Sequence, residues 1–360
     1  LIKEEYSPFK IVHHPAKLAD LKDQVATAPI QVQLILTNKC NHRCSFCAYR
    51  LDGSPSNEQF EVANELDYDK VIEILYDCEQ MGVKAIQFTG GGEPTVHPMF
   101  KEILKYVIDH TRMKIALVTN GEKLDKEISD MLVKHGSWVR ISLDAGSSTT
   151  HSSTRRVKET SYDKILDNVR YLTKQKEEKE SSLIVGIGFV VNDKNYTEVL
   201  AAARIAYGIG ADNIRISGAF TPQGYELFKP FYEDVKKVCD YVQKKYTNYK
   251  DFTVFNLFDD RVKDTKEVQD YDFCPIKEIQ AYIGADYNVY TCCTLAYNKK
   301  GLVGSLKTIG FRDLWFSQEK TDRFKSHDPR IMCKIPCLYK AKNEFINYCI
   351  KKNPKHKDFI

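Results

Sequence analysis

The sequence predicts an α/β fold: a parallel sheet curled into a barrel or partial barrel, with a smaller unit appended at its C-terminal end. Three observations carry this expectation. Six apolar, strand-like runs alternate with segments of helical period. The alternation stops near residue 250 and gives way to short strands, turns and cysteine pairs. A chain of 360 residues is also long enough for one large α/β domain and a smaller neighbour.

The strand-like runs, in order, are QVQLIL (31–36), KAIQF (84–88), KIALVT (114–119), WVRISL (138–143), LIVGIGFVV (183–191) and NIRIS (213–217). Between them, DYDKVIEILYDCEQMG (67–82) brings Val71, Ile74, Leu75 and Cys78 onto one helical face. MFKEILKYVIDH (99–110), SYDKILDNVRYLTKQ (161–175) and YTEVLAAARIAYG (196–208) share that period, and KEEKESS (176–182) reads as a solvated helix end and turn. Such units build a parallel sheet through right-handed crossovers. Eight would close a full barrel; six give a partial one. The expected organisation is an N-terminal extension (1–29), a core (30–250), a cysteine-bearing C-terminal unit (251–345) and a basic tail (346–360).

A net charge of +4, with 42% hydrophobic and 28% charged residues, is a globular balance that does not indicate nucleic acid. The longest apolar stretch, 183–191, is about half of what a membrane span needs. The first residues, LIKEEYSPFK, are acidic where a secretory signal would be basic and then apolar. Eleven cysteines is an odd number, and they are clustered. Clustered thiols without a secretory signal point to metal or redox chemistry in a reducing compartment, the cytoplasm.

Three of those thiols share one short loop, LILTNKCNHRCSFCAYR (34–50), directly after the first strand. In parallel α/β folds the chemistry sits at the carboxyl ends of the strands, where this loop lies. CxxxCxxC lacks the paired spacing of zinc ligands. His42, inside the loop, is a fourth ligand in principle but reads as exposed. Three thiolates suit three corners of a 4Fe–4S cube and leave one iron without a protein ligand. That iron is open to a small molecule.

With Phe46 before the last cysteine, Cys40, Cys44 and Cys47 resemble the cluster motif of the radical S-adenosylmethionine (SAM) superfamily. The resemblance implies an enzyme with a 4Fe–4S cluster whose open iron binds SAM. One electron then splits the C–S bond, giving methionine and a 5′-deoxyadenosyl radical that takes hydrogen from a substrate. Three further segments match the family in order. FTGGGEPTVHP (88–98) lacks the lysine and hydroxyl of a phosphate loop. It resembles the GGE motif that binds the SAM amino group: Gly91 and Gly92 allow close backbone approach, and Glu93 offers a carboxylate to an ammonium. TNG (119–121), otherwise a common turn, resembles the ribose-contacting turn, with Asn120 as its side chain. RISLDAGSSTTHSSTRR (140–156) resembles the family's next segment, with Ser142 at the SAM ribose or carboxylate and Arg155 paired with the carboxylate. Asp144 is either a supporting or a substrate group. A backbone contact to adenine around Ile216 is also implied.

The C-terminal third contains YDFCPIKEIQAYIGADYNVYTCC (271–293), then GSLKTIGFRDLWFSQEKTDRFKS (304–326), then CKIPC (333–337). This order resembles the auxiliary-cluster extension of the SPASM/twitch group, in which a β-hairpin and a following helix carry a second 4Fe–4S cluster. The implied ligands are Cys274, Cys292, Cys333 and Cys337, with Cys293 as an alternative to Cys292. Four thiols imply one auxiliary cluster, the twitch form. Tyr287 stands where the group has a hairpin glycine, and the last pair is CxxxC rather than CxxC. A structural zinc on the same four thiols is the competing reading. The whole resembles a partial (β/α)6 barrel of the radical SAM type with a small auxiliary-cluster domain.

The substrate is expected to be a small molecule, namely a sugar, an amino acid or a nucleotide-linked group. Modification of a ribosomally made peptide is the alternative. Only about 30 residues precede the first strand, fewer than the peptide-binding winged-helix domain of many peptide modifiers needs. The resemblance also implies a reductant such as flavodoxin or ferredoxin. A non-catalytic iron–sulfur or zinc scaffold is the reading from another class, and a scaffold has no use for a SAM site.

Overall fold

Alternating branched and small residues make each of the six apolar runs a strand, one face turned to helices and the other inward. The computed structural model describes residues 7–265, 269–333 and 337–352. In it the runs are β1 (Gln31–Ile35), β2 (Ala85–Thr89), β3 (Lys114–Thr119), β4 (Gly136–Ser142), β5 (Ile184–Val191) and β6 (Asn213–Gly218). Each pairs in parallel with the next. Val32, Leu34, Phe88, Leu117, Ile187 and Ile214 face outward into the main core. The inner face is polar: Gln33 pairs in register with Gln87, and Gly188 with Arg215.

α1 (Pro15–Asp23) packs through Leu21 against Ile346, and the outer face is covered by α2 (Tyr68–Met81), α3 (Phe100–His110), α4 (Lys126–His135), α5 (Ser148–Arg155), α6 (Thr160–Glu178) and α7 (Val199–Gly208). In α2 the Asp67 side chain caps the Lys70 amide at 2.8 Å, and Gly82 closes the helix at φ 78°. Val71, Ile74, Leu75 and Cys78 form its buried face, as the period predicts. Among the described residues no helix is long and apolar enough to cross a membrane.

The sheet continues past the six strands on both sides. β7 (Thr253–Asn256) pairs in parallel with β6, so the parallel sheet runs beyond the change of pattern near 250. On the other side β8 (Gln280–Ile283) pairs in parallel with β1, and β9 (Asn288–Tyr290) and β10 (Leu302–Ser305) follow antiparallel. The result is one ten-stranded sheet, ordered β10-β9-β8-β1-β2-β3-β4-β5-β6-β7. The expected tail overlaps a helix, Lys340–Ile350, whose Ile346 packs with Ile11 and Leu21 of the N-terminal extension. The rest of the tail, 353–360, lies outside the described residues.

Tyr287 occupies the hairpin position where the resemblance expects glycine, and its φ is 67°. Left-handed backbone costs a side-chain-bearing residue about 1–2 kcal/mol. The Tyr287 hydroxyl offsets this by donating to Asp67 Oδ2 at 2.8 Å and accepting from the Asp67 amide at 3.3 Å. The hairpin is thereby tied to the first turn of α2. Tyr287→Ala and Tyr287→Gly both lose this anchor and differ in the backbone penalty. Denaturant unfolding is expected to find the glycine variant more stable by about 1 kcal/mol. Equal stability, or the reverse order, would contradict the left-handed assignment.

Candidate functional site

Loops at the carboxyl ends of β1, β2, β3 and β4 meet in one place. The cysteine loop after β1 is held by its own backbone: the Arg43 amide donates to Arg155 O at 3.0 Å, and the Ser45 amide to Thr154 O at 2.8 Å. Arg50 reaches back to the carbonyls of His42 and Asn38, at 3.1 and 3.3 Å. Cys44 lies within electrostatic reach of both Cys40 and Cys47. Burial pushes the Cys40 thiol up to about 12 and raises Cys47 as well. Both are protonated without a metal, so ligation must displace protons. Among the described residues no three His, Cys, Asp or Glu side chains are set to share a single metal ion.

The glycine loop after β2 lies directly against the cysteine loop. The Gly92 amide donates to Thr37 O at 3.0 Å and the Glu93 amide to Lys39 O at 2.9 Å. A Cβ on Gly91 would stand 2.2 Å from Asn38 Oδ1, and one on Gly92 2.0 Å from Lys39 O. The close approach these glycines allow is therefore to the chain's own cysteine loop. Glu93 is buried at 3% exposure and joins three loops. Its Oε1 accepts from the Thr95 amide, the Thr95 hydroxyl and the Thr119 hydroxyl, at 3.1, 2.7 and 2.6 Å. Its Oε2 accepts one bond, from the Asn120 amide at 2.7 Å. Burial raises the Glu93 pKa against the pull of these donors.

Asn120 extends the network: its Nδ2 donates to Asn41 Oδ1 at 2.8 Å, and its Oδ1 accepts from the Glu122 amide at 3.0 Å. Gly121 turns this loop at φ 81°, where a side chain would be strained. His42, expected to be exposed, is 1% exposed. Its Nε2 bonds Glu122 Oε2 at 2.7 Å, and burial with the Arg155 charge lowers its pKa to about 4. The imidazole is neutral at pH 7, and its Nε2–H is the donor to Glu122.

Arg155, at the end of α5, is 4% exposed. Its Nη2 donates to Asp144 Oδ2 and to Ser142 O, and its Nη1 to Cys44 Sγ at 3.6 Å. Its Nε is buried with no hydrogen-bond partner. Asp144 stands at φ 54°, and its Oδ1 accepts from the Val190 amide at 2.7 Å. It is a structural anchor for Arg155. Ile216 stands apart from these groups: its side chain is in the outer core and its carbonyl accepts from the Leu257 amide at 2.9 Å.

The second cysteine group lies beside β8. The Cys292 thiol feels Cys293 most, then Cys333, Cys274 and Cys337; Cys293 also acts on Cys337, and its Sγ contacts the Tyr339 hydroxyl at 3.4 Å. Residues 334–336, between the last two cysteines, lie outside the described residues. Tyr271 OH donates to Cys337 at 3.5 Å, and the buried Asn343 amide stands 3.8 Å from Cys337 and 3.7 Å from Cys274. Lys277, 1% exposed, faces Cys274 and Cys333 while its Nζ donates to Phe324 O. Neither Asn343 nor Lys277 stood out in the sequence. Their spacing from the cysteines carries no signal, because only the folded chain brings them there.

The glycine contacts set up a paired comparison. Gly92→Ala drives a methyl into the Lys39 carbonyl and is expected to lower stability by about 1–3 kcal/mol. Gly208, the last residue of α7, has nothing within 4 Å of its added Cβ. Gly208→Ala is expected to raise stability by roughly 0.5–1 kcal/mol. Thermal unfolding of both variants checks this; a harmless Gly92→Ala would mean the two loops are not in contact.

Comparison with known proteins agrees with this geometry. Residues 34–204 match the family model of the radical SAM superfamily, and residues 274–338 match an iron–sulfur cluster-binding domain, SPASM. The chain is 26% identical over 245 residues to a tungsten-containing aldehyde ferredoxin oxidoreductase cofactor-modifying protein of Pyrococcus furiosus, covering 59% of this chain and 66% of that one. It is 31% identical over 185 residues to the antilisterial bacteriocin subtilosin biosynthesis protein AlbA of Bacillus subtilis, covering 51% of this chain and 38% of that one. The matches thus span about four-tenths to two-thirds of these relatives' own length. Among solved structures, Streptococcus suis SuiB bound to precursor peptide SuiA has a TM-score of 0.64 at 16% identity, covering 88% of this chain and 71% of that one. That likeness concerns the fold. With both cysteine groups lying inside the matched segments, the chain belongs to the radical SAM superfamily and carries a SPASM-type iron–sulfur cluster-binding domain.

Proposed function

We propose that this protein reductively cleaves SAM and uses the resulting radical to abstract hydrogen from a small-molecule substrate. The observation that carries the reading is the meeting of the cysteine loop, the Glu93 loop and Arg155 at the carboxyl ends of β1, β2 and β4. Cys40, Cys44 and Cys47 would hold three corners of a 4Fe–4S cluster, and Cys274, Cys292, Cys333 and Cys337 a second one. The donor chemistry fits: both groups are thiols, and Lys277 supplies a buried cation beside the second. When bound, the first cluster supplies one electron to SAM, releasing methionine and a 5′-deoxyadenosyl radical.

The chain's own residues bind and orient. Each oxygen of a carboxylate has about two acceptor sites. Glu93 Oε1 already accepts three donors and Oε2 one, which leaves Oε2 able to take the SAM ammonium. Arg155 Nε, buried without a partner, is suited to the SAM carboxylate. Asn120 and Ser142 would border the space for the ribose. Eleven free thiols suit a reducing compartment, the cytoplasm, where flavodoxin or ferredoxin serves as reductant.

A second reading, modification of a peptide, is favoured by the likeness to AlbA and by the SuiB fold, whose structure holds a precursor peptide. Against it stand relatives named GTP 3′,8-cyclase, such as that of Clostridium perfringens, 25% identical over 188 residues.

Reconstituted protein with dithionite is expected to convert SAM slowly to 5′-deoxyadenosine without substrate. The variant with Cys40, Cys44 and Cys47 all changed to alanine should lose this while staying folded and keeping about half of the iron, since the two cluster sites are separate. Undiminished cleavage would sink the assignment. Retained zinc with no iron would make the C-terminal site a zinc site.

Glu93→Gln replaces one acceptor oxygen by a donor and removes the charge. Charge-assisted bonds contribute about 1.5–3 kcal/mol, so SAM affinity is expected to fall about tenfold to a hundredfold with iron content unchanged. Calorimetric titration under anaerobic conditions reads it, and an unchanged dissociation constant would end the Glu93 role.

A further inference from the structure

Three polar side chains outside the proposed ligand set stand at the sulfurs of the second cysteine group, and all are buried or half-buried. Tyr271, just before Cys274 in the chain, donates its hydroxyl to Cys337 Sγ at 3.5 Å. Asn343, in the helix Lys340–Ile350 and 1% exposed, places Nδ2 3.8 Å from the same sulfur. His327, 4% exposed, places Nε2 3.7 Å from Cys333 Sγ. The three come from separate segments, so the fold alone brings them to these two sulfurs.

The hydrogen-bond pattern fixes which way each group points. The Ile276 amide donates to Asn343 Oδ1 at 3.1 Å, so that atom is the oxygen and Nδ2 is turned to Tyr271 and Cys337. Nδ2 also donates to the Tyr271 hydroxyl at 3.0 Å, which leaves the hydroxyl's own hydrogen for the sulfur. Asn343 Oδ1 lies 3.7 Å from Cys274 Sγ, a contact in which the thiol donates. That contact ends when the thiol gives up its proton to a metal. A metal-bound sulfur only accepts, which selects the form of His327 with hydrogen on Nε2. Two sulfurs thus receive three side-chain donors. Hydrogen bonds to the sulfurs are one of the levers on the potential of an iron–sulfur cluster. They strengthen as the acceptor gains negative charge, so they favour the form that holds an added electron.

We propose that Tyr271, Asn343 and His327 bias the second cluster toward its reduced form, which makes this site a one-electron carrier and not only a structural staple. This rests on the reading above that Cys274, Cys292, Cys333 and Cys337 hold a 4Fe–4S cluster. The three act through the cysteine sulfurs and are positioning residues.

The test uses the full-length protein with Cys40, Cys44 and Cys47 changed to alanine, reconstituted anaerobically so that only the second site carries iron. A redox titration followed by electron paramagnetic resonance reads the reduced fraction against potential. In this background Tyr271→Phe removes one donor and keeps the ring, and His327→Phe removes the donor at the other sulfur. Each is expected to shift the reduction equilibrium about threefold to tenfold toward the oxidised cluster, with iron content unchanged. After exchange into heavy water, electron–nuclear double resonance should find a deuteron coupled to the reduced cluster that Tyr271→Phe loses. A lower melting temperature with an unmoved potential in both variants is the mark of a purely structural role and overturns the proposal. Loss of iron in both assigns the side chains to assembly of the site and overturns it too. If only one variant loses iron, the other decides. A parent that takes up no iron at the second site defeats the cluster reading instead, whereas a retained cluster with an unmoved potential defeats this inference alone.

Discussion

The parallel pairing of β8 with β1 is the contact on which the chemistry of this molecule depends. β1 delivers the three-cysteine loop at its carboxyl end, and β8 carries the hairpin that leads to Cys292. Gln31 to Leu34 are in register with Gln280 to Ile283, and Tyr49 of the cysteine loop lies within electrostatic reach of Cys47 and of Cys292 and Cys293. Around this pairing Ile35, Tyr282, Ala285, Tyr290, Ala296 and Tyr297 form a small core of their own, and Tyr49 of the cysteine loop meets Tyr282 hydroxyl to hydroxyl at 2.5 Å. A displaced β8 would separate the two groups and open the interior to water.

Within the barrel, buried polar groups do the positioning. Glu93 and Arg155 are nearly inaccessible, yet each joins loops from several strands. Such buried charges are costly unless fully bonded, and here most of their bonding capacity is met within the protein. What is left over, one acceptor position on Glu93 Oε2 and the Arg155 Nε, matches the two charged ends of an amino acid. The same residues thus hold the loops and offer what a bound amino-acid group requires.

The sequence displays what is local. Strand and helix periods locate β1 to β6 and the buried face of α2 to within a residue or two, because burial of one face writes a period into the chain. The cysteine spacing and the glycine loop are short motifs and equally visible. Long-range contacts are not. β7 is four residues long and polar at both ends, so its run stays below recognition. The β8–β1 pairing joins segments some 250 residues apart with no local mark. The burial of His42 and the left-handed Tyr287 both arise from tertiary packing. Tyr287 is instructive: its place in the pattern marked it as a departure, and its hydroxyl bond to Asp67, which explains it, appears only in three dimensions.

The central claim is that three thiols after β1 leave an iron open to SAM. Electron paramagnetic resonance tests it most directly, using a reduced, reconstituted Cys274→Ala/Cys337→Ala variant that retains only the cluster on Cys40, Cys44 and Cys47. Adding SAM labelled with 15N at its amino group is expected to shift the spectrum and to introduce a coupling from the labelled nitrogen. A spectrum that SAM leaves unchanged would contradict the account.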